Sequence, residues 1–411
     1  MNPAPSLPQR VVIIGAGHAG GSVAAQLRQI GFAGAITLIG EEPVVPYQRP
    51  PLSKAWLAGT TSLDHVILRP AEWYLENGVD LRLGTRVAGI DRTAKHVALS
   101  DGATVEYDAL VIATGARPRL LGLPGEALAG VLSLRSLADA EALKAAMAPG
   151  KTIVLIGAGY IGLEVAASAR KAGMKAIIVE REARSAARVA SETMSNFLER
   201  YHRDHEVEFI FNAAAKRFAG TDAVTAVELA DGRVLACDLV LVGAGVVPND
   251  ELAREAGLDC GNGIIVDAQA RCSDPAVFAV GDVSFRPLEL YNTQFRLESV
   301  PNALEQARCV AHVLTSTQPH APEVPWFWSD QYDLKIQLAG LSLDATSQLV
   351  RGDPATGKFA VFHLQGNVVR AVEAVNAPPE FMFGRKLIAA GTLVDLERLA
   401  DISVSMKQVA V

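Results

Sequence analysis

Three glycines near the start of the chain have the spacing of a nucleotide-binding turn. Gly15, Gly17 and Gly20 follow the apolar run VVII in the pattern G-x-G-x-x-G. The first glycine of such a turn lets the chain leave the strand sharply, the second lets bare backbone approach a pyrophosphate, and the third lets the next helix lie close to the strand. The pattern predicts a phosphate cradle, although the same spacing also occurs in ordinary strand-to-helix turns.

The pattern occurs a second time, which makes coincidence improbable. Gly157, Gly159 and Gly162 follow the apolar run IVLI and open a helical stretch. In each copy a second apolar strand follows the helix and ends at an acidic residue, Glu41 in the first copy and Glu180 in the second. Two complete units of this kind predict that one chain holds two nucleotides.

The two acidic residues indicate how each nucleotide is held. A carboxylate at the end of the second strand accepts hydrogen bonds from ribose hydroxyls and repels a 2′-phosphate. Glu180 therefore favours NADH, although Arg181 and Arg184 lie close by and could serve a 2′-phosphate. In the first unit Glu41 is the favoured ribose ligand, and Glu42 beside it is the alternative.

Two cations lie in the proline-rich segment PYQRPPLSKAWL, residues 46–57. Its prolines predict irregular backbone until a helix begins near Ser53. Arg49 and Lys54 could serve a cofactor or a carboxylate, or they could be ordinary surface cations.

Three later apolar runs should deliver backbone to bound nucleotides. The first ends at Ala113-Thr114-Gly115, and the second, DLVLVGAGVVPN, suits the far wall of the second site. The third, FAVGDV, contains Gly281-Asp282 near an expected helix start, where the aspartate could meet a ribityl hydroxyl, bridge to phosphate or cap the helix. Because this last run follows the second glycine-rich unit, the second unit is inserted inside the first.

Composition limits the remaining possibilities. The chain has 411 residues and a net charge of −7, which argues against nucleic acid as a partner. No apolar run approaches the length of a membrane span and the N-terminus has no targeting pattern, so we expect a cytoplasmic protein without a membrane partner. The four cysteines are scattered without C-x-x-C or histidines at ligand spacing, which predicts free thiols, no metal site and no dithiol relay.

From about residue 326 the pattern changes to alternating short strands and one helix near 379–391, with Gly366-Asn367 as a hairpin turn. We therefore predict an α/β fold with two Rossmann-like dinucleotide-binding domains and a C-terminal α+β domain built on an antiparallel sheet. The predicted domains are a discontinuous first nucleotide-binding domain of residues 1–115 and 249–325, a second nucleotide-binding domain of residues 116–248, and a C-terminal domain of residues 326–411; the resemblance given next implies that these are the FAD-binding, NAD-binding and interface domains.

The chain resembles the FAD-dependent, NADH-utilising ferredoxin reductases that serve haem monooxygenases and aromatic-ring dioxygenases. The resemblance covers nearly the whole length. It rests on an ordered set of motifs: GAGHAGG, RPPLSK, ATGARP, GAGYIGLEVAA, AVGD, ESVPNALEQA and PWFWSDQYD. It implies a glutathione-reductase-like architecture in which the first unit holds FAD and the second holds NADH.

Together with the motifs above, the resemblance implies the site residues. Those around FAD are Gly15, Gly17, Ala19, Gly20, Glu41, Arg49, Lys54, Val87, Ala113, Thr114, Gly115, Arg135, Gly281, Asp282, Val300 and Trp328. Those around NADH are Gly157, Gly159, Tyr160, Ile161, Gly162, Glu164, Glu180 and Gly245. Catalytic roles fall on Lys54, Glu164 and Trp328: Glu164 reaches the nicotinamide edge and can pair with Lys54, and Trp328 lies beside the flavin ring on the side of the iron–sulphur partner.

The implied reaction is hydride transfer from NADH to FAD, followed by release of single electrons to a [2Fe–2S] ferredoxin. No general acid or base is required, and Lys54 and the helix dipole after Pro301 are candidates for the charge that favours reduced flavin. An acidic ferredoxin would dock through cations such as Arg308, Arg385 and Lys386. We expect a monomer or weak dimer.

Two alternatives use the same architecture. A flavin-dependent NADH oxidase or peroxidase would often carry a reactive cysteine near the flavin, and residues 40–57 contain none. A redox-gated interaction protein similar to apoptosis-inducing factor would oxidise NADH slowly, and the acidic net charge argues against it.

Overall fold

The structure is a computed structural model that describes residues 7–318 and 322–411. The chain forms two compact units. The first unit contains the described residues of Met1–Gln48, Leu63–Arg117 and Pro248–Pro325, and the second contains Arg49–Ser62, Pro118–Val247 and Trp326–Val411. The predicted division into three domains stays a prediction.

The helices are α1 His18–Gln29, α2 Leu63–Val66, α3 Ala71–Glu76, α4 Leu137–Ala146, α5 Tyr160–Lys171, α6 Glu192–Asp204, α7 Glu251–Glu255, α8 Val300–Leu314, α9 Pro378–Ala390 and α10 Leu396–Ala400. The strands are β1 Arg10–Ile14, β2 Ala35–Ile39, β3 Val79–Arg82, β4 Val87–Asp91, β5 His96–Leu99, β6 Thr104–Glu106, β7 Ala109–Ile112, β8 Ala116–Pro118, β9 Val131–Leu132, β10 Thr152–Ile156, β11 Lys175–Val179, β12 Val207–Ile210, β13 Ala215–Gly220, β14 Val224–Leu229, β15 Val234–Ala236, β16 Leu239–Val242, β17 Val246–Pro248, β18 Cys260–Gly261, β19 Gly263–Ile265, β20 Val277–Ala279, β21 Ser284–Leu288, β22 Thr293–Phe295, β23 Trp326–Gln331, β24 Leu334–Gly340, β25 Ser347–Asp353, β26 Lys358–Gln365 and β27 Val368–Val375.

The first unit is built on a parallel sheet with strand order β20-β7-β1-β2-β3. Strand β1 is buried on both sides, as a central parallel strand requires. Val11 and Ile13 pack with α1 and α8, whereas Val12 and Ile14 pack with the antiparallel sheet β4-β5-β6. The carboxyl ends of β1, β2, β7 and β20 meet at one edge of the sheet, where ligands bind in folds of this kind.

The second unit repeats this arrangement with strand order β12-β11-β10-β16-β9. Ile153 and Leu155 of β10 pack with α5 and with residues of the C-terminal sheet. Val154 and Ile156 pack with the three-stranded sheet β13-β14-β15. The same sequence pattern therefore builds the same layered core twice.

Residues after 326 form the antiparallel sheet β23-β24-β27-β26-β25, on which α9 packs. Gly366 and Asn367 connect β26 to β27, as predicted. The predicted fold class, two parallel-sheet units and a C-terminal antiparallel sheet, is confirmed. Among the described residues, no helix is long and apolar enough to cross a membrane.

Two local predictions are wrong. Pro50–Ser53 is a 3-10 turn, not the start of an α-helix, because the next residue, Lys54, lies outside the helical region at φ −126° and ψ −103°. Gly281–Val283 is also a 3-10 turn, and it leads into strand β21. The expected helix begins later, at Val300, after the cap residue Ser299.

Candidate nucleotide sites and the buried ion pair

The first glycine turn has the geometry of a nucleotide cradle. Gly15 has φ +108°, and a Cβ added to it would lie 2.3 Å from the carbonyl oxygen of Ala113. A Cβ on Gly20 would lie 2.0 Å from the carbonyl oxygen of Gly15. Gly17 is the N-cap of α1, so the first amides of that helix have no helical acceptor. Only glycine fits this turn, and its amides suit an anion such as a pyrophosphate.

The neighbouring strand ends are tied together by backbone and side-chain hydrogen bonds. Thr114 Oγ1 donates to the carbonyl oxygen of Asn249 at 2.7 Å, and Asn249 Nδ2 donates to that of Thr114 at 2.9 Å. The backbone amide of Asn249 also donates to the carbonyl oxygen of Gly115 at 2.9 Å. The predicted residues Ala113, Thr114 and Gly115 therefore form a fixed wall beside the first cradle.

The turn at Gly281 closes another side of the same strand edge. Its amide donates to Gln306 Oε1 at 2.8 Å, and a Cβ on Gly281 would lie 3.0 Å from Cβ of Ala19. Gln306 Nε2 is buried and has no hydrogen-bond partner among the described residues. A buried donor without an acceptor next to a nucleotide cradle fits a ligand that supplies the acceptor.

The structure separates the two candidate acids of the first unit. The Tyr47 hydroxyl donates to Glu42 Oε2 at 2.6 Å, whereas Glu41 is exposed at the end of β2. Glu41 is therefore the carboxylate open to a ribose. Val87 is buried at the start of β4, and Val300 is the first residue of α8.

The second glycine turn reproduces the first. Gly157 has φ +109°, and a Cβ on it would lie 2.6 Å from the carbonyl oxygen of Gly243. A Cβ on Gly162 would lie 2.3 Å from the carbonyl oxygen of Gly157, whereas one on Gly159 would meet no described atom within 4 Å. The open space at Gly159 is where a pyrophosphate can approach the backbone.

Hydrogen bonds fix the second acid to its own turn. Glu180 accepts from the amide of Ala158 at 2.7 Å and from the amide of Glu182 at 2.9 Å. Arg184 donates to the carbonyl oxygens of Ala187 and Ala190 and to Ser195 Oγ, and Arg181 is exposed and pairs with Glu182. The Nη1 group of Arg184 and part of its Nη2 group are therefore engaged within the chain.

A buried ion pair joins Lys54 to Glu164 within the second unit. Glu164 is 5% exposed, and Lys54 Nζ lies 2.9 Å from its Oε1. Two hydroxyls complete the shell: Ser53 Oγ donates to Oε2 and Ser329 Oγ donates to Oε1, each at 2.5 Å. A buried carboxylate needs such partners, because an isolated buried charge is strongly destabilising.

Strand β23 presents different side chains on its two faces. Successive residues of a strand point to opposite sides. Trp326 and Trp328 share one face, with ring centroids 5.7 Å apart. On the other face Phe327 contacts Tyr160 edge to face at 5.2 Å, and Ser329 reaches Glu164. Trp328 therefore does not share a face with the serine that contacts Glu164.

The remaining predicted residues lie around these groups. Burial raises the pKa of Tyr160 well above its usual value, and its hydroxyl has no described hydrogen-bond partner. Ile161 is half exposed, and Gly245 has φ +87°. Arg49 donates a hydrogen bond to the carbonyl oxygen of Arg135.

The cations proposed for docking have intramolecular contacts. Arg308 pairs with Glu323. The guanidinium carbon of Arg385 lies 5.0 Å from the ring centroid of Trp326, and Lys386 Nζ lies 5.2 Å from that of Phe383.

The predicted site residues thus form two groups. In the first unit the structure brings together the glycine turn at 15–20, Ala19, the 113–115 strand end and Gly281. In the second it brings together the glycine turn at 157–162, Glu180, Lys54 and Glu164. The sequence reasoning missed Ser53 and Ser329, although both lie inside motifs that carried the resemblance, RPPLSK and PWFWSDQYD.

This arrangement, two dinucleotide cradles in one chain, defines a class of pyridine-nucleotide oxidoreductases. Residues 9–307 match the pyridine nucleotide-disulphide oxidoreductase family, and residues 326–410 match the reductase C-terminal family. The chain belongs to the pyridine nucleotide-disulphide oxidoreductases and, within them, to the ferredoxin reductases. The predicted family is confirmed.

Individual relatives match along almost their whole length. A probable ferredoxin reductase of Castellaniella defragrans is 49% identical, over 98% of this chain and 99% of its own. Putidaredoxin reductase of Pseudomonas putida is 42% identical, over 97% and 96%. Among solved structures, the covalent complex of putidaredoxin reductase with putidaredoxin matches with a TM-score of 0.95 and 42% identity, over 98% of both chains.

Proposed function

We propose that this protein is an FAD-dependent reductase that takes hydride from NADH and passes electrons one at a time to a [2Fe–2S] ferredoxin serving a monooxygenase or dioxygenase. One observation carries the proposal: a single chain contains two separate glycine turns of the same geometry, each with a carboxylate that follows its second strand. The relatives named as ferredoxin reductases support the choice of acceptor.

The first unit would hold FAD. Gly15 and Gly17 receive the pyrophosphate, Glu41 receives the ribose, and the 113–115 strand end and Gly281 enclose the rest. FAD bound there would supply the chemistry that takes two electrons together from a hydride donor and releases them one at a time. The chain's own groups hold and orient the reactants. Hydride transfer itself needs no proton from a side chain, and the proton that remains after both electrons have left passes to solvent.

The second unit would hold NADH. Its glycine turn receives the pyrophosphate and Glu180 receives the adenosine ribose. Glu164, fixed by Lys54, Ser53 and Ser329, would orient the nicotinamide edge. The ammonium of Lys54 is the positive charge that lies against Glu164. This charge would also favour an electron-rich acceptor beside it.

The contacts of Glu180 and Arg184 support NADH over NADPH. A 2′-phosphate would meet the carboxylate of Glu180, which two amides hold in place. Hydrogen bonds to Ala187, Ala190 and Ser195 hold Arg184 in place, and turning its Nη1 group toward that phosphate would break them. The exposed Arg181 alone would offer little compensation, because surface ion pairs contribute about 0–1 kcal/mol.

The cysteines support an acceptor outside the chain. Burial raises the pKa of Cys237 to about 11, and it also raises the pKa of Cys260, Cys272 and Cys309. These thiols stay protonated near neutral pH and are poor nucleophiles. A thiol-based peroxidase or dithiol relay is therefore disfavoured.

A negatively charged ferredoxin would dock through cations, and the candidates in the C-terminal part of the chain are two residues of α9, Arg385 beside Trp326 and Lys386 beside Phe383. We further propose that the protein acts in the cytoplasm as a monomer or weak dimer.

Turnover with and without ferredoxin tests the proposal. Purified protein is mixed with NADH in air, and hydrogen peroxide and reduced [2Fe–2S] ferredoxin are measured. We expect slow peroxide formation alone and at least a tenfold faster NADH oxidation with a cognate ferredoxin. Fast peroxide formation that ferredoxin does not change would favour the oxidase. Slow NADH oxidation with no ferredoxin response would favour the redox-gated interaction protein.

A further inference from the structure

A buried chain of hydrogen bonds leads away from Glu164 through the second unit. Ser329 Oγ donates to Glu164 Oε1 at 2.5 Å, and Gln331 Nε2 donates to Ser329 Oγ at 3.1 Å. Gln331 Oε1 lies 2.8 Å from His202 Nε2. These side chains are almost completely buried, with Ser329 and His202 at 0% exposure and Gln331 at 1%. Polar groups buried this deeply are costly unless each meets a partner.

The hydrogen bonds of this series all run in one direction, from donor to acceptor. Burial lowers the pKa of His202 to about 4, so its ring is neutral at pH 7 and only one ring nitrogen carries a proton. Because Gln331 Oε1 can only accept, that proton lies on Nε2, and Nδ1 is left buried without a hydrogen-bond partner among the described residues. Ser329 has one proton and gives it to a carboxylate. Every donor therefore points toward Glu164.

Secondary structure explains how separate segments build this chain. The alternation of β23 places Ser329 and Gln331 on the same side of the strand. Glu164 comes from α5 and His202 from the buried side of α6. Three rigid elements thus converge, so the position of the carboxylate is fixed by helices and a strand and not by loops alone.

This series of hydrogen bonds matters because Glu164 has few other donors among the described residues. Its remaining donors, Ser53 and Lys54, both come from the short 3-10 turn and the residue after it. If Ser329 ceased to donate, Oε1 would keep only the flexible ammonium of Lys54. A carboxylate free to rotate would also move that ammonium, because the two are joined at 2.9 Å.

We propose that Ser329, Gln331 and His202 are positioning residues, which hold the Glu164 carboxylate, and through it the Lys54 ammonium, in one orientation toward the pyridine nucleotide. The proposal rests on the proposed function. It makes the rate of hydride transfer depend on residues buried behind the ion pair. Small misplacements of an orienting group are costly to rate, and affinity depends mainly on the glycine turn and Glu180.

The test compares Ser329→Ala with Ser329→Thr, which restores the hydroxyl. The matched control is Ser185→Ala, since Ser185 is also fully buried and its hydroxyl donates to a different carboxylate, Glu199 Oε1, at 3.2 Å. Three quantities are measured for FAD-loaded protein: the limiting rate of anaerobic reduction by NADH, the dissociation constant of NAD⁺ by equilibrium titration, and the free energy of unfolding.

We expect Ser329→Ala to lower the limiting rate about tenfold while the NAD⁺ dissociation constant changes less than twofold. Ser329→Thr should return the rate to within twofold of the wild type, and Ser185→Ala should leave it unchanged. Gln331→Met, which keeps the volume and removes the donor, should lower the rate about threefold and serves if Ser329→Ala does not fold.

Two results would overturn the proposal: wild-type rates in both Ser329→Ala and Gln331→Met, or equal slowing by Ser329→Ala and Ser185→Ala in step with lost stability. A wild-type protein that binds FAD but is not reduced by NADH would instead contradict the proposed function.

Discussion

The two glycine turns have almost the same geometry but differently held acids. Gly15 and Gly157 have φ +108° and +109°, and at both a Cβ would collide with a carbonyl oxygen on a neighbouring strand end. Glu41, however, is exposed, whereas Glu180 is held by two amides of its own turn. The glycine pattern thus determines the shape of each turn, and the neighbouring residues determine how its acid is held.

This difference suits two kinds of ligand. A carboxylate already held in place loses little conformational freedom on binding, which favours a coenzyme that enters and leaves in each cycle. The second unit also has the buried pair of Lys54 and Glu164, which lies close to where chemistry is proposed. We expect perturbations of the first cradle to affect retention of FAD, and perturbations of the second to affect reduction by NADH.

The largest effects should come from the cradle glycines. Gly15→Ala should yield colourless protein, because its Cβ would lie 2.3 Å from a carbonyl oxygen. Gly157→Ala should keep the yellow colour but be reduced by NADH at least 100-fold less efficiently. Absorbance spectra and anaerobic stopped-flow rates measure both outcomes.

Two other glycines separate this effect from simple backbone strain. Gly31 and Gly150 have φ +85° and +82°, but a Cβ on either would meet no described atom within 4 Å. Gly31→Ala and Gly150→Ala should each cost about 1 kcal/mol of stability and keep both cofactors. If they lost cofactor as the cradle variants do, strain alone would explain the result.

The ion pair should give the next largest effect. Lys54→Met leaves a carboxylate that is 5% exposed without its ion-pair partner, and should lower the free energy of unfolding by about 3 kcal/mol. The double variant Lys54→Met/Glu164→Gln removes the unpaired charge, so it should regain most of that stability. Flavin reduction should stay about 100-fold slow in both. Chemical denaturation that finds the double variant no more stable than Lys54→Met would contradict a buried charge pair.

The buried histidine predicts a pH dependence of stability. The pKa of His202 falls from 6.5 to about 4 on folding, so the unfolded chain binds a proton that the folded chain excludes. The stability that depends on a neutral His202 is fully present above pH 6.5. About 3 kcal/mol of the free energy of unfolding is lost as the pH falls toward 4. His202→Asn should make the free energy of unfolding depend less on pH between these values. His65→Asn, at an exposed position, should keep the pH dependence of the wild type.

The smallest effect should come from Glu180, the proposed ribose ligand of the second unit. Glu180→Ala should raise KM for NADH about tenfold, because one pair of ribose hydrogen bonds is lost. Use of NADPH should improve only slightly, since Arg184 stays bound to carbonyl oxygens. Glu182→Ala is the control, because only its amide contacts Glu180. A Glu180→Ala enzyme that preferred NADPH would show that Arg184 is available after all.

The sequence predicts the cradles well because their requirements are local. A turn that brings backbone within 3 Å of a would-be Cβ demands glycine whatever the rest of the chain does. The layered fold could also be predicted, since buried parallel strands and alternating antiparallel strands have different patterns. The 3-10 turns at 50–53 and 281–283 could not, because a glycine or proline before a short polar stretch fits a helix start equally well.

Glu164 illustrates the limit of local reasoning. Its spacing alone indicates an acid on a helix surface, and only the resemblance assigned it a role. The hydroxyls that hold it lie 111 residues before it and 165 residues after it in sequence. Glu164 is buried because a turn and a strand from distant parts of the sequence pack against α5. The sequence of α5 alone does not predict that packing.

Anaerobic titration of the purified protein with NADH tests the central claim most directly. We predict that the protein is yellow as isolated with one FAD per chain, that one equivalent of NADH bleaches it, and that two equivalents of oxidised [2Fe–2S] ferredoxin restore the colour. A colourless protein that cannot be reconstituted with FAD, or a yellow one that NADH does not bleach, would contradict two working nucleotide sites in one chain.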